Sequence, residues 1–273
     1  MMNDKISNHL QEPSVKDPGL LVKVPQITIY FWIIKVLATT VGETFADFLN
    51  TKLGLGLNGT SVATFIGLAA VLSFQFKGKG YKPPVYWLAI VLISIAGTLV
   101  TDNLTDKAHV SLITSSIIFS ICLAAVFTIW FVKEKTLAIH SIYTPTREAF
   151  YWLTILFTFA LGTATGDLFA ERLALGYGRS LLVFAAGIAL IAILWQRKKI
   201  NGVFGFWAIY VLTRPLGASI GDLLAQNKKA GGFGLGTSVT SLIFLVLITF
   251  TVTYLVRTKK DQIELVGIAT KVE

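Results

Sequence analysis

A tryptophan, a glycine ten residues later and an aspartate five residues after that occur four times in phase along this chain. The tryptophans are Trp32, Trp87, Trp152 and Trp207. The glycines are Gly42, Gly97, Gly162 and Gly217, and the aspartates are Asp47, Asp102, Asp167 and Asp222. A small residue or threonine precedes each Asp: Ala46, Thr101, Gly166 and Gly221. The Asp-to-Asp steps are 55, 65 and 55 residues. A fixed period of this kind marks a tandem repeat, here with a longer joint between its halves.

Each repeat holds two apolar runs of roughly 20 residues, the length that crosses a bilayer as a helix. Charged residues are 14% of the chain and mean hydropathy is +0.69, whereas soluble domains carry about a quarter charged residues. The runs are continuous rather than alternating, which favours helices over barrel strands. Eight spans are predicted: 27–49, 58–76, 84–105, 109–132, 148–170, 179–196, 203–225 and 236–256. The expected fold is an all-α integral membrane protein of eight transmembrane helices, built as four parallel two-helix repeats in two halves of four helices. Repeats 1 and 2 occupy 26–135 and repeats 3 and 4 occupy 148–258, with a linker at 136–147. The polar tails are 1–25 and 259–273. The first tail lacks the apolar segment of a signal peptide and reads as a free polar arm.

The net charge of +9 is unevenly placed. Sixteen Lys and Arg fall in the tails and in the loops after the second helix of each repeat, and six fall in the opposite loops. The positive-inside rule then puts both termini in the cytoplasm. No soluble basic face exists, so nucleic acid is not an expected partner; the bilayer and an inorganic cation are. The motif tryptophans read as markers of the cytoplasmic membrane edge. Lys35, one turn beyond Trp32, is expected to snorkel to that edge.

With a rise of about 1.5 Å per residue, each motif Gly lies near the membrane midplane and each Asp in the outer half. A carboxylate facing lipid is costly, so the four Asp residues should face the bundle interior or a wet cavity. Gly42/Ala46, Gly97/Thr101, Gly162/Gly166 and Gly217/Gly221 form small-xxx-small pairs that let helices approach closely. At spacing i, i+4, i+8 the copies read Thr39-Glu43-Asp47, Ser94-Thr98-Asp102, Phe159-Thr163-Asp167 and Arg214-Ala218-Asp222. Glu43 is thus a second, deeper acid, and Arg214 is a countercharge or gate. Pro215 follows it and should kink its helix. The ion-pathway candidates are Asp47, Asp102, Asp167, Asp222, Glu43, Thr98 and Thr163. The four Asp residues are the candidate metal ligands, in one ring if the repeats share an axis and in two pairs if the halves pair separately. Oxygen ligands suit hard cations. An Asp near a helix end can instead cap the next turn.

Other chemistry finds little support. Cys122 is single and apolar in setting, and His109 and His140 fall in loops. Paired aspartates can do acid–base work, but Ala164-Thr-Gly-Asp167 and Ser219-Ile-Gly-Asp222 lack the first Gly of the Gly-x-Gly-Asp pattern of intramembrane proteases. An enzyme is therefore not expected. No organic cofactor is implied; the expected ligand is a bound divalent cation.

The stretch from Lys23 to Asp47, KVPQITIYFWIIKVLATTVGETFAD, resembles the opening signature of a family of uncharacterised bacterial multi-pass membrane proteins. The likeness covers about residues 20–260 and implies the bacterial inner membrane. It implies no activity. The expected function is a transporter or channel for cations, divalent or proton-coupled. The alternative is a non-transporting membrane scaffold or sensor in which the Asp residues are structural.

Overall fold

A computed structural model describes residues 21–262. Eight long helices follow in order: α1 (Ile29–Asp47), α2 (Gly56–Lys77), α3 (Pro83–Asp102), α4 (Leu112–Glu134), α5 (Pro145–Asp167), α6 (Gly176–Gln196), α7 (Gly202–Ala225) and α8 (Thr237–Thr258). All eight are long and apolar enough to cross a membrane. No strand occurs among the described residues. Local chemistry starts several of these helices. Ser111, Thr144 and Asn201 accept the first-turn amides of Thr114, Arg147 and Val203, and prolines open α3 and α5.

The odd-numbered helices form an inner ring: α1 packs on α3, α3 on α5, α5 on α7 and α7 back on α1. Between 56% and 72% of the spanning residues of each are buried, against 11% to 28% in the even-numbered helices. The even helices stand outside, with ridges such as Val62, Ile66 and Phe74 or Leu242, Val246 and Phe250 exposed. Such ridges are at home only against lipid tails or another apolar surface.

The second helix of a repeat does not pack chiefly on its own first helix. It packs on the first helix of the next repeat: α2 on α3, α4 on α5, α6 on α7, and α8 on α1. The repeats are therefore interlocked in a closed cycle around one axis, and the alternative of two separately paired halves is not what forms.

The glycine motif makes this cycle tight. A Cβ on Gly42 would stand 1.9 Å from Oγ of Ser94, on Gly97 2.5 Å from Cβ of Phe159, on Gly162 2.3 Å from Cγ of Arg214, and on Gly217 1.9 Å from Oγ1 of Thr39. Each motif Gly thus receives the first residue of the next repeat's polar stripe. Gly166 lies against Pro215, and Gly221 against Thr40 and Thr44. Pro215 does not interrupt α7, which runs unbroken through it.

Trp87, Trp152 and Trp207 are buried, and each takes the aromatic side chain that precedes the Trp of the repeat before. The pairs are Phe31 with Trp87, Tyr86 with Trp152, Tyr151 with Trp207, and Phe206 with Trp32, at ring separations of 5.6, 5.5, 6.2 and 5.6 Å. Aromatic pairing at these separations adds to the gain from area burial. The result is an aromatic belt that closes the Trp end of the ring.

The end of the first polar arm is bound rather than free. Val22 O accepts the amide of Tyr81, the Lys23 amide donates to Ile142 O, and the Gln26 amide donates to Asp261 O. The Lys23 ammonium pairs with Glu148 at 2.6 Å and donates to Phe76 O at 2.9 Å; both charged side chains are buried. Val22 through Gln26 therefore tie the α2–α3 connection, the α4–α5 connection and the segment after α8 together across the Trp end. The rest of both tails, 1–20 and 263–273, lies outside the described residues.

Candidate functional site

The polar stripe extends one helical turn further toward the Trp end than its three named positions. In the four repeats it reads Lys35-Thr39-Glu43-Asp47, Ile90-Ser94-Thr98-Asp102, Ile155-Phe159-Thr163-Asp167 and Tyr210-Arg214-Ala218-Asp222. Because the four helices surround one axis, these positions stack as layers. Below the Asp layer every stripe residue is buried.

Arg214 occupies the centre. Its side chain is fully buried and leaves α7 to reach the other three inner helices. Nη1 donates to Thr39 O at 2.9 Å. Nη2 donates to Glu43 Oε2 at 2.9 Å, to Thr163 Oγ1 at 2.8 Å and to Thr98 Oγ1. Thr98 and Thr163 are thereby placed on the guanidinium. Glu43 is its ion-pair partner, and the two sit in adjacent layers of the stripe. A planar guanidinium with several fixed donors suits this junction in a way a lysine would not.

Above Arg214 lies the acid cluster. Carboxylate oxygens of Glu43, Asp167 and Asp222 fall within 4.8 Å of one another, close enough to share one cation. This set differs from the expected ring of four Asp: Glu43 joins it, whereas Asp47 and Asp102 do not. Glu43 rises from the layer below on its longer side chain and meets the Asp pair of α5 and α7. Asp47 and Asp102 remain in electrostatic range of Glu43, as do Asp167 and Asp222, so all four repeats face one acidic space. Asp106 and Glu171 add charge at its rim. They lie four residues beyond Asp102 and Asp167 and continue the same stripe, a signal that was available in the sequence.

Among the described residues no protein donor reaches any of the four Asp carboxylates. They do not act as helix caps. In the first three repeats the Asp is the last residue before the helix widens by one residue per turn, over Phe48–Lys52, Asn103–Lys107 and Leu168–Arg172. The wide turns are closed by amides of Leu53, Ala108 and Leu173 on the carbonyls of Phe48, Asn103 and Leu168. Such π turns recur at functional sites. The fourth repeat departs from this pattern. After Ala225 its chain turns back, and Phe233, Leu235 and Gly236 donate to the carbonyls of Leu223, Leu224 and Ala225.

Beneath Arg214 sits Lys35. It does not snorkel: it is fully buried and its ammonium has no hydrogen-bond partner. The nitrogen lies 3.9 Å from the ring centre of Phe159 and 4.1 Å from that of Tyr210. Pattern alone missed this because a lysine one turn from an interfacial Trp can usually reach water, and here the aromatic belt blocks the way.

Four consecutive segments, residues 30–81, 85–136, 150–201 and 205–261, match one family, described as Repeat of Unknown Function (DUF347). No curated protein and no solved structure matches the chain.

Proposed function

The chain belongs to that repeat family, whose description carries no activity, and from this premise we propose that it is a membrane transporter for cations, either divalent or proton-coupled. One observation carries the reading: the carboxylates of Glu43, Asp167 and Asp222, from three repeats, converge within 4.8 Å of one another, directly above the buried Arg214 guanidinium that pairs with Glu43. Clustered carboxylates repel one another unless a cation or shared protons lie among them. Oxygen-only ligands favour hard cations such as Mg²⁺, Ca²⁺ or Mn²⁺.

In this reading the cation enters past Asp106 and Glu171 and is drawn on by Asp47 and Asp102. It binds between Glu43, Asp167 and Asp222. A dication at that position competes with Arg214 for Glu43, which gives the pair the role of a gate. The bias of Lys and Arg toward the Trp end supports placing that end in the cytoplasm, and the Asp end outside, of a bacterial inner membrane.

The test is flux into liposomes holding the purified protein, screened over protons, Mn²⁺, Mg²⁺, Ca²⁺ and K⁺. Wild type is expected to carry at least one of them, and Asp102→Asn and Asp167→Asn to abolish that flux. No flux of any, from folded protein of known orientation, overturns the reading.

A second reading is a non-transporting scaffold or sensor. The observation in its favour is that Arg214 bonds to α1, α3 and α5 at once and fills the axis. It expects single Asp→Asn changes to leave activity intact and to alter folding or assembly.

A further inference from the structure

We propose that the protein carries a matched pair of phospholipid sites on the outside of the bundle at its Trp end, each seating the head group and upper acyl chain of one anionic phospholipid. The proposal does not depend on the transport reading.

The sites follow from how the ring is built. α4 packs chiefly on α5, and α8 on α1. Each of these outer helices leaves a cleft toward the inner helix one place further round, α4 toward α7 and α8 toward α3. The clefts have volumes of about 630 and 520 Å³. Their inner walls use the same positions of repeats 4 and 2: Trp207 and Trp87, Ala208 and Leu88, Val211 and Val91. Ala208 stands where the other copy has the bulkier Leu88, and its cleft is the larger. Phe127 and Phe131 wall the first cleft on the outer side, and Val252 and Val256 the second. Thr249 and Thr253 also border the second, but their hydroxyls donate to Leu245 O and Thr249 O. Their polar capacity is met within α8. Both clefts are therefore apolar along their length.

Each cleft ends in a cation at the Trp end. In the first, Lys135 follows α4 directly; in the second, Arg257 stands in the last turn of α8. Both side chains are exposed, and neither makes an ion pair among the described residues. The acids closest in sequence are engaged elsewhere, Glu134 with Arg147 and Asp261 with the Tyr81 hydroxyl.

An apolar wall that ends in a cation matches an acyl chain that ends in a phosphate. From Phe127 to Lys135 the first cleft follows about 12 Å of helix, most of one leaflet of a roughly 30 Å core. A free phosphate gains nothing from the wall, and a zwitterionic head group brings a cation of its own to Lys135 or Arg257. Basic pockets between membrane helices select anionic head groups for this reason. A second copy of the chain would cover the wall but leave the cation without an anion.

The test is a titration of the purified protein in detergent with phosphatidylglycerol and with phosphatidylcholine, read by native mass spectrometry. Wild type is expected to bind two phosphatidylglycerol molecules more tightly than later ones and more tightly than phosphatidylcholine. Lys135→Gln and Arg257→Gln should each weaken one of the two by about fivefold, the equivalent of about 1 kcal/mol for one basic side chain near the membrane surface. Ala208→Phe, which keeps both charges and fills the first cleft, should remove one bound lipid. Equal affinity for the two lipids, or unchanged affinity in folded Lys135→Gln and Arg257→Gln, overturns the proposal. So does a dimer that Ala208→Phe converts to a monomer with lipid binding unchanged, because a second copy then occupies the cleft.

Discussion

Gly217, in the last inner helix, lies flat against Thr39 in the first: a Cβ on Gly217 would stand 1.9 Å from the Thr39 hydroxyl and 2.6 Å from its Cβ. This contact closes the cycle of repeats. It also brings Arg214, one turn before Gly217, within reach of Glu43, one turn after Thr39. The close approach of the backbones and the central ion pair are therefore two parts of one joint.

Gly217→Ala should be destabilising by about 1–3 kcal/mol, the usual cost of an overpacked methyl group. Thr39→Gly in the same chain should restore much of the loss, because it removes the clashing atoms. Thermal unfolding of the single and double variants in detergent gives the coupling directly, and additive effects would refute the contact.

Arg214→Met should be among the most disruptive substitutions in the chain. It leaves Glu43 buried beside two further acids with no cation, and breaking a buried pair costs about 3–5 kcal/mol. Glu43→Gln should cost less, since an amide oxygen can still accept from the guanidinium. Ordered melting temperatures, with wild type highest, Glu43→Gln next and Arg214→Met lowest, are the expected result.

Cation affinity should fall in two grades. Loss of one charge at Glu43, Asp167 or Asp222 should weaken binding by about tenfold or more, each tenfold being about 1.4 kcal/mol. Asp47→Asn and Asp102→Asn should have smaller effects on affinity and larger effects on entry, as screened charges that steer rather than ligate. Calorimetric titration with Mn²⁺ distinguishes affinity from flux, and equal losses at all five acids would refute the three-carboxylate site.

The tie across the Trp end should depend on Lys23. Lys23→Met strands Glu148, which is 1% exposed, and should cost about 3–5 kcal/mol for the same reason as at Arg214. Faster proteolytic cleavage near residues 21–28 is the expected signature, and unchanged cleavage would show that backbone hydrogen bonds alone hold the segment.

Asp261 gives this end a pH dependence. Burial lifts its carboxyl above the ordinary value of 3.8, opposed by the hydrogen bond from Tyr81. The folded form then holds the proton more readily than the unfolded form, so local stability rises as pH falls through the folded pKa toward 3.8. Hydrogen exchange at the Gln26 amide, which donates to Asp261 O, should slow as pH is lowered from about 7, after correction for intrinsic exchange. Asp261→Asn should remove that slope.

Much of this architecture is legible in the repeat. The helix count, the close-packing glycines and the acids at one depth all follow from period and residue type, because a bilayer leaves the chain few other options. The central role of Arg214 was half legible: its place on the stripe with Asp222 was visible, but not that it bonds Thr98 and Thr163 on two other helices. Lys35 was misread as interfacial, because that judgement used position along one helix and ignored what the neighbouring helices place there.

By itself, then, the sequence determined what each repeat must be: two membrane-length helices, a glycine where another backbone comes close, and an acid that cannot face lipid. Only the tertiary structure decided which repeat meets which. The interlocked order, with α2 on α3 and α8 back on α1, depends on a ring closing. Closure is a long-range property: it is set by the fit of Thr39, Ser94, Phe159 and Arg214 into the glycines of other repeats. It also selected Glu43, rather than Asp47 or Asp102, to share a site with Asp167 and Asp222. Four nearly equal repeats place unequal side chains on a common axis, and the reach of each side chain across that axis fixes which groups meet.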